Sequence, residues 1–486
     1  MRSSFPVRLL GVFLLLAAPV QPLAAQAPLV ERVEQRLREA GPGTRFGLVV
    51  AAEDGREIVA IDPEGRFIPA SNTKLLTTAA AFHLLPGIDQ PDQAGGAAVR
   101  LEGGAVPDVI LVGNGDARLS AASDCVANCL AALADAVAAR TRRVRHVIGD
   151  DSLFPDQRWS PGMSWNNIPT RSGTGVSALS VDDNELVVSI LPAAPGKPPR
   201  LEHAPYYTID NRAVTVAAGP ASLAFDRMPG SLVVRLTGTI AANGEAETLR
   251  LGIDDPAHFA AWQMKRMLEV RGVAVTGAVS AQHRPVRPFD DPVKRGGAPA
   301  PRPPRAEALA SLQPPPLAAD IVTINKVSQN LHAELLLRRV GLVKGTGSIS
   351  DGVAAIGTML AEAGAGPHQA DLSDGSGMST YNRLSPRGVV ALLRWAGRQP
   401  WGAAFQATLP VGGIDGTLAR RFKGTALEGR IFAKTGSLNA TTALSGYLLA
   451  QSGRTLTFSA FANDIPPGAA ASKAIDDALL AIAAEN

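Results

Sequence analysis

The chain has 486 residues, 46% of them hydrophobic, and 47 Lys plus Arg against 44 Asp plus Glu leave a net charge of +3. That length and apolar content suit about three domains with substantial cores. The charge is too small and too dispersed for a nucleic-acid footprint, so no nucleic-acid partner is expected.

Residues 1–27, MRSSFPVRLLGVFLLLAAPVQPLAAQA, join two arginines, an apolar stretch from Leu9 to Val20 and small residues suited to signal-peptidase cleavage. About a dozen apolar residues fall short of the roughly 20 that span a bilayer, so the segment reads as a removed secretory signal. The mature protein is expected to be exported, in the periplasm or its equivalent, and soluble or peripherally attached to membrane or wall.

Leu29 to Arg38 has a helical pattern, and Phe46–Ala51 with Glu57–Asp62 reads as a strand pair turning at Glu53-Asp54-Gly55. A helix then starts near Ser71. Short apolar runs follow at Val109–Val112 and Val144–Ile148, with a helical stretch at Cys129–Ala139. Cys125 and Cys129, four apart, share a face if both are helical; in an oxidising compartment they form a small local disulfide if the first turn is irregular, or else stay as two buried thiols. No His or Asp pattern beside them makes a metal site.

From Leu186 to Leu251 the chain alternates as strands do, at Leu186–Ile190, Val214–Val216 and Ser231–Thr239, which indicates a small β-rich module. Phe259–Arg271 returns to helix. Proline then dominates Arg284–Leu317, where PAPRPPR and QPPPL exclude regular helix and central strand and suit a crossing between domains. Beyond it the pattern predicts one helix over Ala318–Val340, another over Val389–Arg398, and two or three strands in Ile431–Phe461 with turns at Ser437-Leu438-Asn439 and Gln451-Ser452-Gly453. The last element is an amphipathic helix, Ala469–Ala484. An α/β region therefore opens and closes the chain, with something inserted between.

Chemistry concentrates at two short stretches. In FIPASNTKLLTTAA, Ser71 stands three residues before Lys74, one of only nine lysines, and no other serine has a lysine at that spacing. Positions i and i+3 share a helical face, so the amine can take the hydroxyl proton, while the helix N-terminus favours a developing oxyanion. Burial beside Leu75, Ala79 and other cations lowers the lysine pKa and makes it a base. The bland alternative is a capping serine followed by a surface lysine. In FAKTGSLNATTALSGY, Lys434-Thr435-Gly436 lies at a strand end, where it offers a cation and hydroxyls to a substrate carboxylate, with Gly436 keeping a side chain out of the way. Its alternative is an ordinary edge-strand lysine beside a turn glycine.

Together these stretches resemble the penicillin-binding proteins and serine β-lactamases, whose third element is Ser-x-Asn. Three candidates exist, at Ser164-Trp165-Asn166, Ser328-Gln329-Asn330 and Ser437-Leu438-Asn439. Residues 314–336, PPPLAADIVTINKVSQNLHAELL, are similar to the segment that carries it in the class C low-molecular-mass penicillin-binding proteins, the D-alanyl-D-alanine carboxypeptidase/endopeptidases. VGNGDARLS, IGDDSLF, SALSVDDNEL, DGSGMSTYNRLSP and LPVGGIDGTLARRF match in order along the chain, so Ser328 and Asn330 are assigned.

The resemblance implies a transpeptidase/β-lactamase-like α/β domain interrupted by two nested inserted domains: residues 28–87 and 313–486 for the first, 88–186 and 252–312 for the second, 187–251 for the β-rich third. It implies acyl transfer from peptidoglycan peptides ending in D-Ala-D-Ala, or hydrolysis of D-Ala cross-links. Ser71 is then the nucleophile, Lys74 its base, Ser328 the proton relay to the leaving amine and Asn330 the group holding Lys74 and the substrate amide. The backbone N–H groups of Ser71 and Ser437 form the oxyanion hole, and Lys434 and Thr435 receive the terminal carboxylate. β-Lactams acylate Ser71; no metal or cofactor is required. The rivals are a β-lactamase or esterase of the same fold and a non-catalytic peptidoglycan-binding scaffold.

Family members that take diaminopimelate hold the far end of that side chain with an acid and an arginine. Asn167 stands at the acid's place and Thr380 at the arginine's, so both charges are replaced by neutral groups, with Arg171 or Arg383 as the available substitutes. His83, His332 and the pairs Arg338-Arg339 and Arg420-Arg421 are read as core or surface groups, the arginines on solvated faces.

Overall fold

The computed structural model describes Met1 and residues 28–486 except 303 and 305; the expected signal segment, residues 2–27, lies outside the described residues. The main sheet draws on both ends of the chain. Helix α1 (Leu29–Arg38) leads into β1 (Arg45–Ala51) and β2 (Glu57–Ile61), and a short 3-10 turn at Ala70–Asn72 opens α2 (Thr73–Leu84). After a long excursion come α3 (Leu317–Lys326), α4 (Asn330–Gly341), α5 (Ile349–Glu362) and α6 (Pro386–Gly397). Strands β3 (Ile431–Leu438), β4 (Thr441–Leu449) and β5 (Thr455–Asn463) and helix α7 (Ala471–Glu485) finish it.

The sheet runs β3-β4-β5-β1-β2, antiparallel throughout, which puts β3 on an edge. Helices α1 and α7 cover one face around Val33, Leu37, Phe458 and Leu479, and α2, α4, α5 and α6 cover the other around Phe67, Leu76, Leu337 and Phe461. Both faces are therefore dry. That explains why β4, TTALSGYLL, is almost wholly buried and shows no polar alternation.

The excursion builds other sheets. One holds, in order, Val279–Arg284, Val147–Pro155, Asp108–Val112, Ala98–Glu102 and Ala310–Ser311, backed by the helices Leu130–Arg140 and Pro256–Val270. Within the span from Glu185 to Gly252 lie a three-stranded and a four-stranded sheet. Within the proline-rich stretch, Ala310–Ser311 returns to the edge of the first of these sheets before α3 begins.

Two local expectations are corrected. Ala318–Val340 is not one helix: α3 stops at Lys326 and α4 starts at Asn330, with Ser328 between them at φ 66°. No Pro or Gly marks the break. Gln329 makes it instead, its side chain accepting the Leu331 N–H as a helix cap. Ser437 and Leu438 stay in β3, and the turn falls at Asn439-Ala440, with Ala440 at φ 52°. The apolar run Val144–Ile148 falls on the ends of two strands, Arg143–Val144 and Val147–Pro155. Cys125 and Cys129 form the local disulfide, with the first turn irregular as that alternative requires: Cys129 is the extended residue just before Leu130–Arg140, and Cys125 lies in the preceding turn.

Candidate active site

Ser71 lies in the 3-10 turn where the chain enters α2. The turn is held from both sides. Asn463 of β5 bonds the N–H and C=O of Ile68, and the Asn72 side chain donates to Lys434 O at 2.9 Å. Ala70 has φ 47°, a left-handed backbone that costs an alanine on the order of 1 kcal/mol or more. Two glycines make room for the turn: a Cβ on Gly377 would stand 1.8 Å from Ala70 O, and one on Gly436 would stand 2.6 Å from Pro69 O. The third residue of the Lys-Thr-Gly stretch is thus glycine because β3 passes so close to the Ser71 turn.

Lys74 sits one turn on and is wholly buried. Its Nζ lies 2.9 Å from Ser71 Oγ, 2.7 Å from Asn330 Oδ1 and 2.6 Å from Ser376 O. The last two partners are carbonyl oxygens, which only accept. A neutral amine has two N–H bonds for them and one lone pair left, and that lone pair faces Ser71. Burial lowers the Lys74 pKa to about 7, although the nearby carboxylates of Asp374 and Glu334 pull it upward. The neutral form is therefore well populated at neutral pH.

Those two carboxylates build the floor. Glu334 Oε1 accepts the N–H groups of Gly375 and Ser376 at 2.9 and 2.8 Å, and Asp374 accepts those of Gly377 and Ser379 at 2.9 and 2.6 Å. The loop so tied presents Ser376 O to Lys74. Arg338 donates to Glu334 at 3.0 Å and is almost wholly buried, and Arg339 pairs with buried Asp92. The expectation of a solvated face for this arginine pair is wrong, because α4 is enclosed all round and each guanidinium has its own carboxylate. Sequence reading missed Glu334 and Asp374; the acid followed by Gly-Ser-Gly at 374–377 was the available signal, since such a turn needs a side chain to satisfy its N–H groups.

Lys434 is also wholly buried, and its Nζ donates to Ser328 Oγ at 2.9 Å and Thr435 O at 3.0 Å. Burial, and then Lys74, hold its pKa well below the usual lysine value. Its amine thus points to the serine in the break between α3 and α4. Asn330, first residue of α4, accepts from Lys74 and donates to Ser172 O at 2.9 Å, tying the site to the inserted region. A second tie is His332, which contacts Asp183 at 2.8 Å and Asp320 at 3.0 Å. Burial disfavours its charge, but the two acids outweigh that and carry the pKa up to about 9.

Strand β3 has only part of its edge open. Pro410–Gly412 runs along its first half, with Gly412 N–H donating to Ile431 O and Ala433 N–H to Pro410 O. Successive N–H groups of a strand point to opposite sides, so those of Thr435 and Ser437 face the same way as that of Ala433, where the edge is uncovered. Thr435 Oγ1 donates to Thr417 Oγ1 at 2.7 Å.

Of the predicted site residues, Ser71, Lys74 and Asn330 form one hydrogen-bonded set and Lys434 and Ser328 another, joined where Asn72 donates to Lys434 O, and β3 brings Thr435, Gly436 and Ser437 alongside. The competing Ser164-Trp165-Asn166 lies on an exposed 3-10 turn. Asn167 ends that turn, and Thr380 donates to Gly162 O through both its N–H and its hydroxyl, each at 3.0 Å. Arg171 is paired with Glu185, and Arg383 donates to Thr380 O and Asn382 O.

Residues 29–486 match the D-Ala-D-Ala carboxypeptidase 3 (S13) peptidase family. The chain belongs to this family. Among S13-like relatives, a D-alanyl-D-alanine carboxypeptidase of Actinomadura sp. (strain R39) is 35% identical over 91% of this chain and 83% of its own. The D-alanyl-D-alanine carboxypeptidase DacB of Haemophilus influenzae is 23% identical over 96% and 94%. The crystal structure of penicillin binding protein 4 (dacB) from Haemophilus influenzae shares the fold, with TM-score 0.77 and 20% identity over 92% of this chain and 98% of that one. The same protein has been solved with a novel β-lactam, TM-score 0.70. The α/β transpeptidase-like fold expected from sequence is thus the fold observed, and the S13 match spans the inserted region as well as the main sheet.

Proposed function

We propose that this peptidase is a serine D-alanyl-D-alanine carboxypeptidase and/or endopeptidase of peptidoglycan stem peptides, working through an acyl-enzyme on Ser71. What carries the reading is the partner set of Lys74: two carbonyl acceptors and one hydroxyl, at 2.6, 2.7 and 2.9 Å, around an amine with pKa about 7. Such an amine is a directed base for one oxygen.

Ser71 Oγ attacks the carbonyl of the penultimate D-alanine as its proton passes to Lys74. The oxyanion is held by the N–H groups of Ser71 and Ser437, the latter on the open stretch of β3. The donor peptide lies along that edge as an added strand, with Thr435 at its terminal carboxylate. Lys434 keeps the Ser328 hydroxyl aimed, and the arriving carboxylate supplies the opposing charge that favours its protonated form. The proton on Lys74 returns to the leaving amine through Ser328, and D-alanine or the cross-linked amine departs. Water then attacks the ester, with Lys74 again taking a proton, and Ser71 is restored. Asn330 fixes the Lys74 orientation, with its second amide N–H available to the substrate amide.

β-Lactams enter the same path and leave a slow ester on Ser71. The division into residues 28–87 with 313–486, 88–186 with 252–312, and 187–251 belongs to this reading. So do export after removal of residues 1–27 and a peripheral association with wall or membrane; no helix among the described residues is long and apolar enough to cross a membrane. Asn167 and Thr380 are placed beside the third residue of the stem peptide.

The test is labelling with a fluorescent penicillin, then mass spectrometry of the labelled peptide. An adduct on Ser71 and release of D-alanine from a pentapeptide are expected. An adduct elsewhere, or none, overturns the reading; rapid loss of the adduct without D-alanine release favours a β-lactamase.

A further inference from the structure

Beside Thr435 lies a loop to which the mechanism gives no task. Residues 410–418 leave the edge of β3 at Gly412, pass through Asp415 and reach a 3-10 turn at Gly416–Leu418. Asp415 is tied twice, its Oδ1 accepting the Val411 N–H at 2.9 Å and its Oδ2 the Lys326 amine at 2.5 Å. Lys326 is the last residue of α3, two positions before Ser328. Gly416, at φ 56°, packs so close to this point that a Cβ would stand 2.7 Å from Lys326 O. The loop is thus clamped to the chain that carries Ser328 and to the strand that carries Thr435. At its end the exposed Thr417 meets Thr435, hydroxyl to hydroxyl, at 2.7 Å.

Each hydroxyl has one proton and accepts through its lone pairs. Two hydroxyls sharing one hydrogen bond therefore have one proton left for a third group. Thr435 is the donor in the free enzyme; when a carboxylate takes the Thr435 proton, the Thr417 hydroxyl turns to donate to Thr435 Oγ1, and the bond Thr435 then accepts strengthens its bond to the anion. An unpaired Thr435 hydroxyl has no such partner and is free to rotate. The acid nearest in sequence, Asp415, is neutralised by Lys326, so the loop brings the hydroxyl without an unpaired negative charge.

We propose that Thr417 is a positioning residue for the carboxylate of the acyl donor. It aligns the Thr435 hydroxyl, and the Lys326–Asp415 pair sets its place. The inference rests on the carboxylate being read at Thr435, as argued above.

The test compares Thr417→Val and Thr417→Ser on two peptides, one with a free terminal carboxylate and one with that carboxylate as its methyl ester. Thr417→Val is expected to lower kcat/KM about tenfold on the free acid and less than twofold on the ester, with Thr417→Ser restoring the free acid to within about twofold. Equal losses on both peptides, no loss on either, or no rescue by serine overturns the proposal. Thermal midpoints of both variants within about 2 °C of wild type exclude a folding defect; should Thr417→Val fold poorly, the comparison is made with Thr417→Ala. Normal labelling of Ser71 by penicillin in wild type, with no Thr417 effect, fails this inference alone, whereas absence of any Ser71 adduct fails the functional reading beneath it.

Discussion

Two regions of the molecule each bury a lysine completely, the start of α2 with Lys74 and the edge strand β3 with Lys434, and they use it differently. Around Lys74 stand three oxygen partners, with the carboxylates of Asp374 and Glu334 behind them holding the pKa at about 7 against desolvation. Around Lys434 stand a hydroxyl and its neighbour's carbonyl, and the other lysine pushes its pKa down further. One site balances burial with opposing charge and obtains a group that titrates near neutrality. The other lacks that balance and serves as a fixed donor to Ser328. The environment, and not the residue type, sets the role.

The hardest way to break this comparison is to remove the acylation pair itself. Ser71→Ala should abolish penicillin labelling, and Lys74→Ala should slow it by roughly 10²–10⁴-fold, the range of a lost general base; Ser164→Ala should label normally. Quantified gel fluorescence measures all three, and strong labelling of Lys74→Ala would deny it the role of base.

Next comes Lys434→Ala, expected to remove roughly 2–5 kcal/mol of transition-state stabilisation through loss of the amine that holds Ser328 and that the bound carboxylate charges. Because the amine holds Ser328, a substrate with its carboxylate blocked should also slow. Indifference of that substrate would return Lys434 to carboxylate binding alone.

The pH profile sharpens the contrast without removing either lysine. Below about pH 7 Lys74 carries a proton and cannot accept another, so the acylation rate should fall as pH drops through that value. Asp374 raises the Lys74 pKa, so Asp374→Asn should move the midpoint to lower pH; a midpoint unmoved or shifted upward contradicts the proposed balance.

The smallest effect concerns the third residue of the stem peptide. Asn167 and Thr380 offer neutral groups, and the nearby cations are engaged, Arg171 with Glu185 and Arg383 with two backbone carbonyls. Charge-assisted pairing is the stronger kind and is missing here. Peptides with an amidated diaminopimelate should therefore exceed the free form by a few-fold in kcat/KM. A strong preference for the free form refutes this, and its loss in Arg383→Ala would identify the substitute.

Sequence alone determined the elements whose signals are local: the amphipathic pattern of α1 and α7, the hairpin of β1 and β2, and the spacing that puts Ser71 and Lys74 on one turn. It also marked Ser328-Gln329-Asn330 and Lys434-Thr435-Gly436, since short motifs survive in a linear reading. Tertiary structure decided the rest. The break between α3 and α4 has no breaker residue and depends on a cap made by Gln329 and on contacts with Asp183 in a distant segment. Arg338 and Arg339 looked like solvent-facing charges because nothing local says that α4 is enclosed on every side. Glu334 and Asp374 come within reach of Lys74 from some 260 and 300 residues away, and a pKa follows from distance and burial, neither of which the order of residues contains.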